Sequence, residues 1–207
     1  MVECTAPAPE CRAVIIFAGL AVAVAIVAAL GGRFGNLSAV QVRGKAAIIG
    51  AFVLQLVVIT IAPLAFSQGV AAILHLTSYA LAIAFLYANR GLPNAWIAAL
   101  GGACNLVAIA VNRGTMPASR TALAAAGKPV VHEGFVNSAP VAHARLAFLG
   151  DVFSIPKSLP LANVFSIGDV ILLIGAAAML AGICGCPRIA ALDRALRRRA
   201  TAVPTSG

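Results

Sequence analysis

Three short polar stretches hold most of the residues that could do chemistry: Val111 to Ser119 (Val-Asn-Arg-Gly-Thr-Met-Pro-Ala-Ser), Phe148 to Val152 (Phe-Leu-Gly-Asp-Val) and Phe165 to Val170 (Phe-Ser-Ile-Gly-Asp-Val). They supply the candidate loop residues Asn112, Arg113, Met116, Ser119, Asp151, Ser166 and Asp169. If Asp151 and Asp169 converge with Asn112, Arg113, His132 and His143, their carboxylates and imidazoles could bind a cation or relay protons. A local reading competes and is simpler. Gly150 and Gly168 permit turns, and Ser166 with Asp169 resembles a capping box at a helix start. Gln55, His75 and Asn105 are polar residues inside otherwise apolar runs. His75, Ser78 and Tyr79 fall at i, i+3 and i+4, so they share one helix face. An intramembrane His is a functional hypothesis by default, against the plainer alternative of an imidazole bonded to a neighbouring hydroxyl or carbonyl. Gly101, Asn105, Ala108 and Asn112 form a narrow stripe that lets another helix approach, with Asn105 as an interhelical hydrogen-bond donor.

The motifs point to no catalytic set, metal site or cofactor. There is no HExxH, phosphate loop, nucleophile motif or pair of CxxC motifs. The five cysteines are scattered. Cys184-Gly-Cys186 lacks the spacing of a structural zinc site, and a Cys4 to Cys11 disulfide is conceivable only if the N-terminus faces an oxidising compartment. A formal charge of +9 without a recognition motif does not indicate nucleic acid.

The elements that must position these residues are read from composition. The chain has 207 residues, of which 61% are hydrophobic and 10% charged, and its mean hydropathy is +1.00. This predicts an all-α membrane protein with about five transmembrane helices in one bundle. A tail over 1–12 precedes a helical domain over 13–187 with spans at about 13–30, 46–66, 70–88, 95–111 and 166–183. A cleaved signal is the competitor for the first span, but its apolar run is long and its leader is not basic. Pro63 should kink or end the second span, and Ser67-Gln68-Gly69 reads as a tight turn. Tyr87 and Trp96 stand where interfacial aromatics belong. Gly168, Gly175 and Gly182, spaced by sevens, make a seam for helix contact.

The polar interval 112–165 is expected to be a partly folded outer loop. Ser119 and Gly127 bracket a short helix, Val141 to Leu149 is too short to span and reads as interfacial or re-entrant, and Pro156 and Pro160 interrupt regular structure after it. Arg33, Arg43, Lys45 and Arg90 fall in connectors on one side, together with the basic tail over 188–207. The charge rule therefore predicts the N-terminus outside, the C-terminus cytoplasmic and the loop outside, although the loop's own Arg113, Arg120, Lys128, Arg145 and Lys157 oppose it. The tail would meet anionic lipid, and a membrane-protein partner or a second copy could use the helix seams.

Gly-Gly-Arg with Asn-Leu after the first span, Asn112 with Gly114, Met116, Pro117 and Ser119, Gly150 with Asp151, and Ser166 with Gly168 and Asp169 together resemble DUF5317, a bacterial family of small integral membrane proteins of unknown function. The resemblance runs from Gly31 to about Gly175. It implies a bacterial cytoplasmic membrane and supplies no activity. Arg113 stands where the family pattern more often has a second Gly. The expectation is a non-enzymatic binding or envelope-associated protein. The alternative is a small-solute or ion carrier using Gln55, His75 and Asn105. Less favoured is a membrane enzyme acting on a lipid-linked substrate, with His132 or His143 as base.

Overall fold

Long uncharged runs rich in Ala and Leu favour helix. The computed structural model describes residues 10–130 and 136–187, except for the side chains of 10–17, 63 and 64. His132, Cys4, the basic tail and the side chain of Cys11 lie outside the described residues. Five long or medium helices form the bundle: α1 (Glu10–Ala29), α2 (Lys45–Thr60) with its short continuation α3 (Ala62–Ala65), α4 (Gln68–Ala88), α5 (Ala95–Val111) and, last in the chain, α7 (Ile167–Ile183). α2 breaks at Ile61, two residues before Pro63, which has no N–H to donate to the preceding turn.

Ser67 is not part of a turn. Its hydroxyl accepts from the Val70 N–H, and Gln68 and Gly69 are already helical, because a Ser in extended conformation caps a helix better than it continues a loop. The boundaries of α5 coincide with the expected span, and α7 begins one residue inside it, with Ser166 as N-cap.

Among its described residues, the connection from α5 to α7 holds the short helix α6 (Arg120–Ala125) and four short strands: β1 (Met116–Pro117), β2 (Ser138–Ala139), β3 (Phe153–Ile155) and β4 (Asn163–Phe165). An all-α expectation is thus corrected to a mostly helical fold with two small sheets. β1 pairs in parallel with β2, placing Met116 opposite Ser138, while Ala118 bridges to Asp151 on the other edge. β3 and β4 pair antiparallel, with the rings of Phe153 and Phe165 stacked at 5.5 Å between centroids. Strands of two or three residues are too short to carry an alternation signal. Ser119 caps α6, and Gly127 comes after it at φ +65°, as expected. Val141 to Leu149 contains only a 3-10 turn over Ala147–Leu149, too short to enter and leave a bilayer, so a re-entrant helix is not found there. We call this folded segment the cap. Its small core of Ala122, Leu123, Ala126 and Val164 is its own, and Met116 joins it to Ala108 and Ile109 of α5.

α5 and α7 pack closest, along the two small-residue stripes. A Cβ added at Gly101 would overlap the Leu172 backbone, and one at Gly175 would overlap the Ala98 backbone. One at Gly182 would strike Pro93. The two stripes are therefore complementary halves of a single contact. Among the described residues, only α4 is long and apolar enough by itself to cross a membrane. α2, α5 and α7, at 16, 17 and 17 residues, reach about 24–26 Å against a hydrocarbon core of about 30 Å. Five independently qualifying spans are not what these helices provide.

Candidate functional site

Most of the buried polar groups lie where the bundle meets the cap, Asn89 at the far end of α4 being an exception. Ser166 is fully buried, its Oγ accepts from the Asp169 N–H at 3.0 Å, and Asp169 Oδ2 accepts from the Ser166 N–H at 2.9 Å. This is the expected capping box. It is extended across the helix contact, because Asn105 Nδ2 donates to Asp169 Oδ1 at 2.7 Å and Asn105 Oδ1 accepts from Ser166 Oγ at 2.9 Å. A Cβ at Gly168 would collide with Asn105 Oδ1, so the glycine makes the room in which these bonds form.

Next to this group stands Tyr79, which hydrogen-bonds Asn105. Its ring meets the His75 ring edge-on at 5.6 Å. His75 is 1% exposed and places Nδ1 2.9 Å from the Gly114 carbonyl oxygen, at the start of the cap. One turn on, Ser78 Oγ donates to Gln55 Oε1 at 2.7 Å, tying α4 to α2. Gln55, His75 and Asn105 are each bonded to another part of the fold, as polar residues on the inner faces of apolar helices must be.

Asp151 belongs to a separate arrangement. It is 6% exposed, and Ser138 Oγ donates to its Oδ2 at 2.5 Å. Its backbone accepts from the Ser119 N–H and donates to the Pro117 carbonyl, which ties both strand edges together. The two aspartates thus sit in different hydrogen-bonded groups, Asp151 with Ser138 and Asp169 with Ser166 and Asn105. Among the described residues no group of three His, Cys, Asp or Glu could hold a metal. The convergence of both aspartates with Asn112, Arg113 and His143 into one ligand set is not observed. Each carboxylate is taken up by the backbone and side-chain donors beside it. Cys184 and Cys186 are buried and free, packed with Val27 and Ala181.

Asn112 has a different task. At the C-terminus of α5, its Nδ2 donates to the Ala108 and Arg145 carbonyls, both at 2.8 Å, and its Oδ1 accepts from the Arg145 N–H at 2.9 Å. One amide side chain thus mimics a strand and clasps the cap. Asn89, which sequence reasoning passed over, does the same at the C-terminus of α4: it exchanges both bonds with the Arg43 backbone and donates to the Phe85 carbonyl. The signal was present as a repeated Asn-Arg-Gly, at 89–91 and 112–114. Together with the bond from the Arg33 N–H to the Cys184 carbonyl, the Asn89 clasp gathers the 31–45 connector, the α4–α5 turn and the end of α7 at one pole of the bundle. The cap occupies the opposite pole.

Beside the Asn112 clasp, between the start of α4 and the cap, lies a cavity of about 400 Å³. Its polar lining includes Gln68, Asn112, Arg113, Thr115 and Arg120. Met116 and Ser119, the other candidate residues, serve structure: Met116 in the contact between cap and bundle, Ser119 as the α6 cap.

These features define a class: a mostly helical bundle whose helices pack through glycine seams and whose one pole carries a small strand-containing cap. The chain belongs to DUF5317, a family of unknown function whose sequence pattern matches residues 39–181. The match takes in the cap and its motifs, whereas Gly-Gly-Arg at 31–33 precedes it. Neither a curated protein nor a solved structure matches the chain.

Proposed function

We propose that the chain is a multipass protein of the bacterial cytoplasmic membrane, with α1, α2 and α3 together, α4, α5 and α7 embedded and the cap folded over one end as a non-enzymatic binding element. One observation carries this reading: large apolar side chains point outward while polar ones are inside. Ile49, Ile73 and Trp96 are 61%, 65% and 67% exposed, whereas His75, Asn105 and Ser166 are at most 1% exposed. In water that distribution would be costly. In lipid it is the expected one, since polar groups must find partners inside the bundle. Helices slightly shorter than the hydrocarbon core are accommodated by local thinning or by flanking residues at modest cost. The basic connectors gathered at the pole opposite the cap support a cytoplasmic C-terminus and an outward cap.

A binding role fits better than a carrier, because Gln55, His75 and Asn105 are each engaged with neighbouring elements rather than lining a path. A membrane-protein partner or a second copy would meet the lipid-facing helices, and anionic lipid the basic tail. The test is alkaline carbonate extraction of membranes from an expressing strain, with accessibility labelling of single cysteines placed in the cap and in the 31–45 connector. Retention in the pellet, with cap cysteines labelled from outside and connector cysteines protected, is the expected outcome. Release by carbonate, or labelling with the opposite sidedness, overturns the embedding or the orientation respectively.

A further inference from the structure

We propose that the cavity between the start of α4 and the cap is a binding site for a phosphate group, carried on a molecule with an uncharged or apolar remainder. Arg113 and Arg120 both line it, and neither guanidinium has an ion pair or hydrogen bond with a described residue. Guanidinium groups recognise phosphate oxygens in paired bonds, and two of them in one cavity, with no carboxylate partner among the described residues, attract an anion. The two described aspartates of the cap and α7 are engaged elsewhere. Asp151 holds the Ser138 hydroxyl, and Asp169 is committed to the capping box and Asn105.

A second, independent observation points to a ligand. Thr115 lines the same cavity at only 8% exposure, and its hydroxyl has no partner among the described residues. A buried hydroxyl left unbonded costs free energy unless something enters the cavity to meet it. Gln68 adds an amide at the first turn of α4, a 21-residue helix whose N-terminal end carries partial positive charge. Val130, Val136 and Val141 add apolar lining. At about 400 Å³ the space suits a small organic molecule and is far larger than inorganic phosphate alone requires. The chemistry thus fits a phosphate ester, and two sources could present it: a phospholipid head group at the membrane surface or a soluble phosphate.

This deepens the reading of the cap as a binding element and rests on it. The test uses the full chain purified in mild detergent, with dioctanoyl phosphatidic acid and inorganic phosphate as probes in calorimetric titrations. Arg113→Gly removes one guanidinium and relaxes a backbone held at φ +59°, so a loss of binding there is not a loss of fold. Arg113→Gly and Arg120→Gln should each weaken binding about tenfold or more. Arg90→Gln, at the other pole, should leave it unchanged. Tight phosphatidic acid that excess inorganic phosphate does not displace assigns a lipid source, and the converse assigns a soluble one. Binding of neither probe, or equal binding by parent and both arginine variants, overturns the site. A chain that stays in membranes yet binds neither probe fails this inference alone. A chain released by carbonate that still binds phosphate fails the membrane reading alone.

Discussion

Asn105 and Asp169 show how much one buried amide can decide. Asn105 donates to the carboxylate and accepts from Ser166, so Asn105→Ala would strand a buried hydroxyl and a carboxylate oxygen at once. We predict a loss of about 1–2 kcal/mol in reversible unfolding in detergent or bicelles. Asp169→Asn should cost about 1 kcal/mol, because it weakens the cap and sets an amide donor against the Asn105 donor. A double-mutant cycle should show the two substitutions to be non-additive. If Asp169→Asn abolished a measured binding activity without any change in stability, its role as a structural cap would be refuted. The sequence had marked both residues, but it left open whether Asp169 faced a ligand or its own helix. The answer required knowing that Gly168 lets Asn105 reach across.

The same economy holds for elements. Gly175 and Gly168 allow the backbones of α5 and α7 to touch, so Gly175→Ala should separate them and cost about 1–3 kcal/mol. Gly69, in the first turn of α4, has nothing within 4 Å of an added Cβ. Gly69→Ala should therefore stabilise by up to about 1 kcal/mol through helix propensity. Opposite signs for two Gly→Ala changes, read in one unfolding assay, check that the seam is a packing device and not a general preference for glycine. The asparagine clasps offer a second check. Asn112→Ala should release the Arg145 amide to hydrogen exchange while Arg43 stays protected, and Asn89→Ala should do the reverse. Simultaneous loss at both sites would mean that the two poles unfold as one unit.

At the scale of the whole molecule, large apolar side chains such as Ile49, Ile73 and Trp96 are exposed, while His75, Asn105 and Ser166 are buried beside small residues and a few larger ones such as Ile109 and Val58. In the proposed membrane setting such a molecule would have little hydrophobic driving force for its own assembly, and close packing and polar contacts would hold it together. The protein should consequently require detergent or lipid throughout purification. Diluting detergent below its critical concentration should aggregate it, read by light scattering, and a clear monodisperse solution would contradict the embedding. The proposed distribution of function follows the same division. The bundle is held by bonds among its own helices, while the cap presents the arginines that have no partner among the described residues.

What the sequence determined alone is what depends on neighbours along the chain. Uncharged runs located α1, α5 and α7 closely, and local capping chemistry placed Ser119, Ser166 and Asp169 correctly. Spacing of small residues placed both helix seams, since periodicity is a property of one helix. Only the tertiary structure decided that these two seams are partners, that Asp151 and Asp169 serve different ends, and that the polar interval folds into strands of two or three residues. It alone brought Arg113, Thr115 and Arg120 around one cavity. Those outcomes come from contacts between residues far apart in sequence, where pairing, burial and mutual reach are set by the fold and leave no period or composition to read.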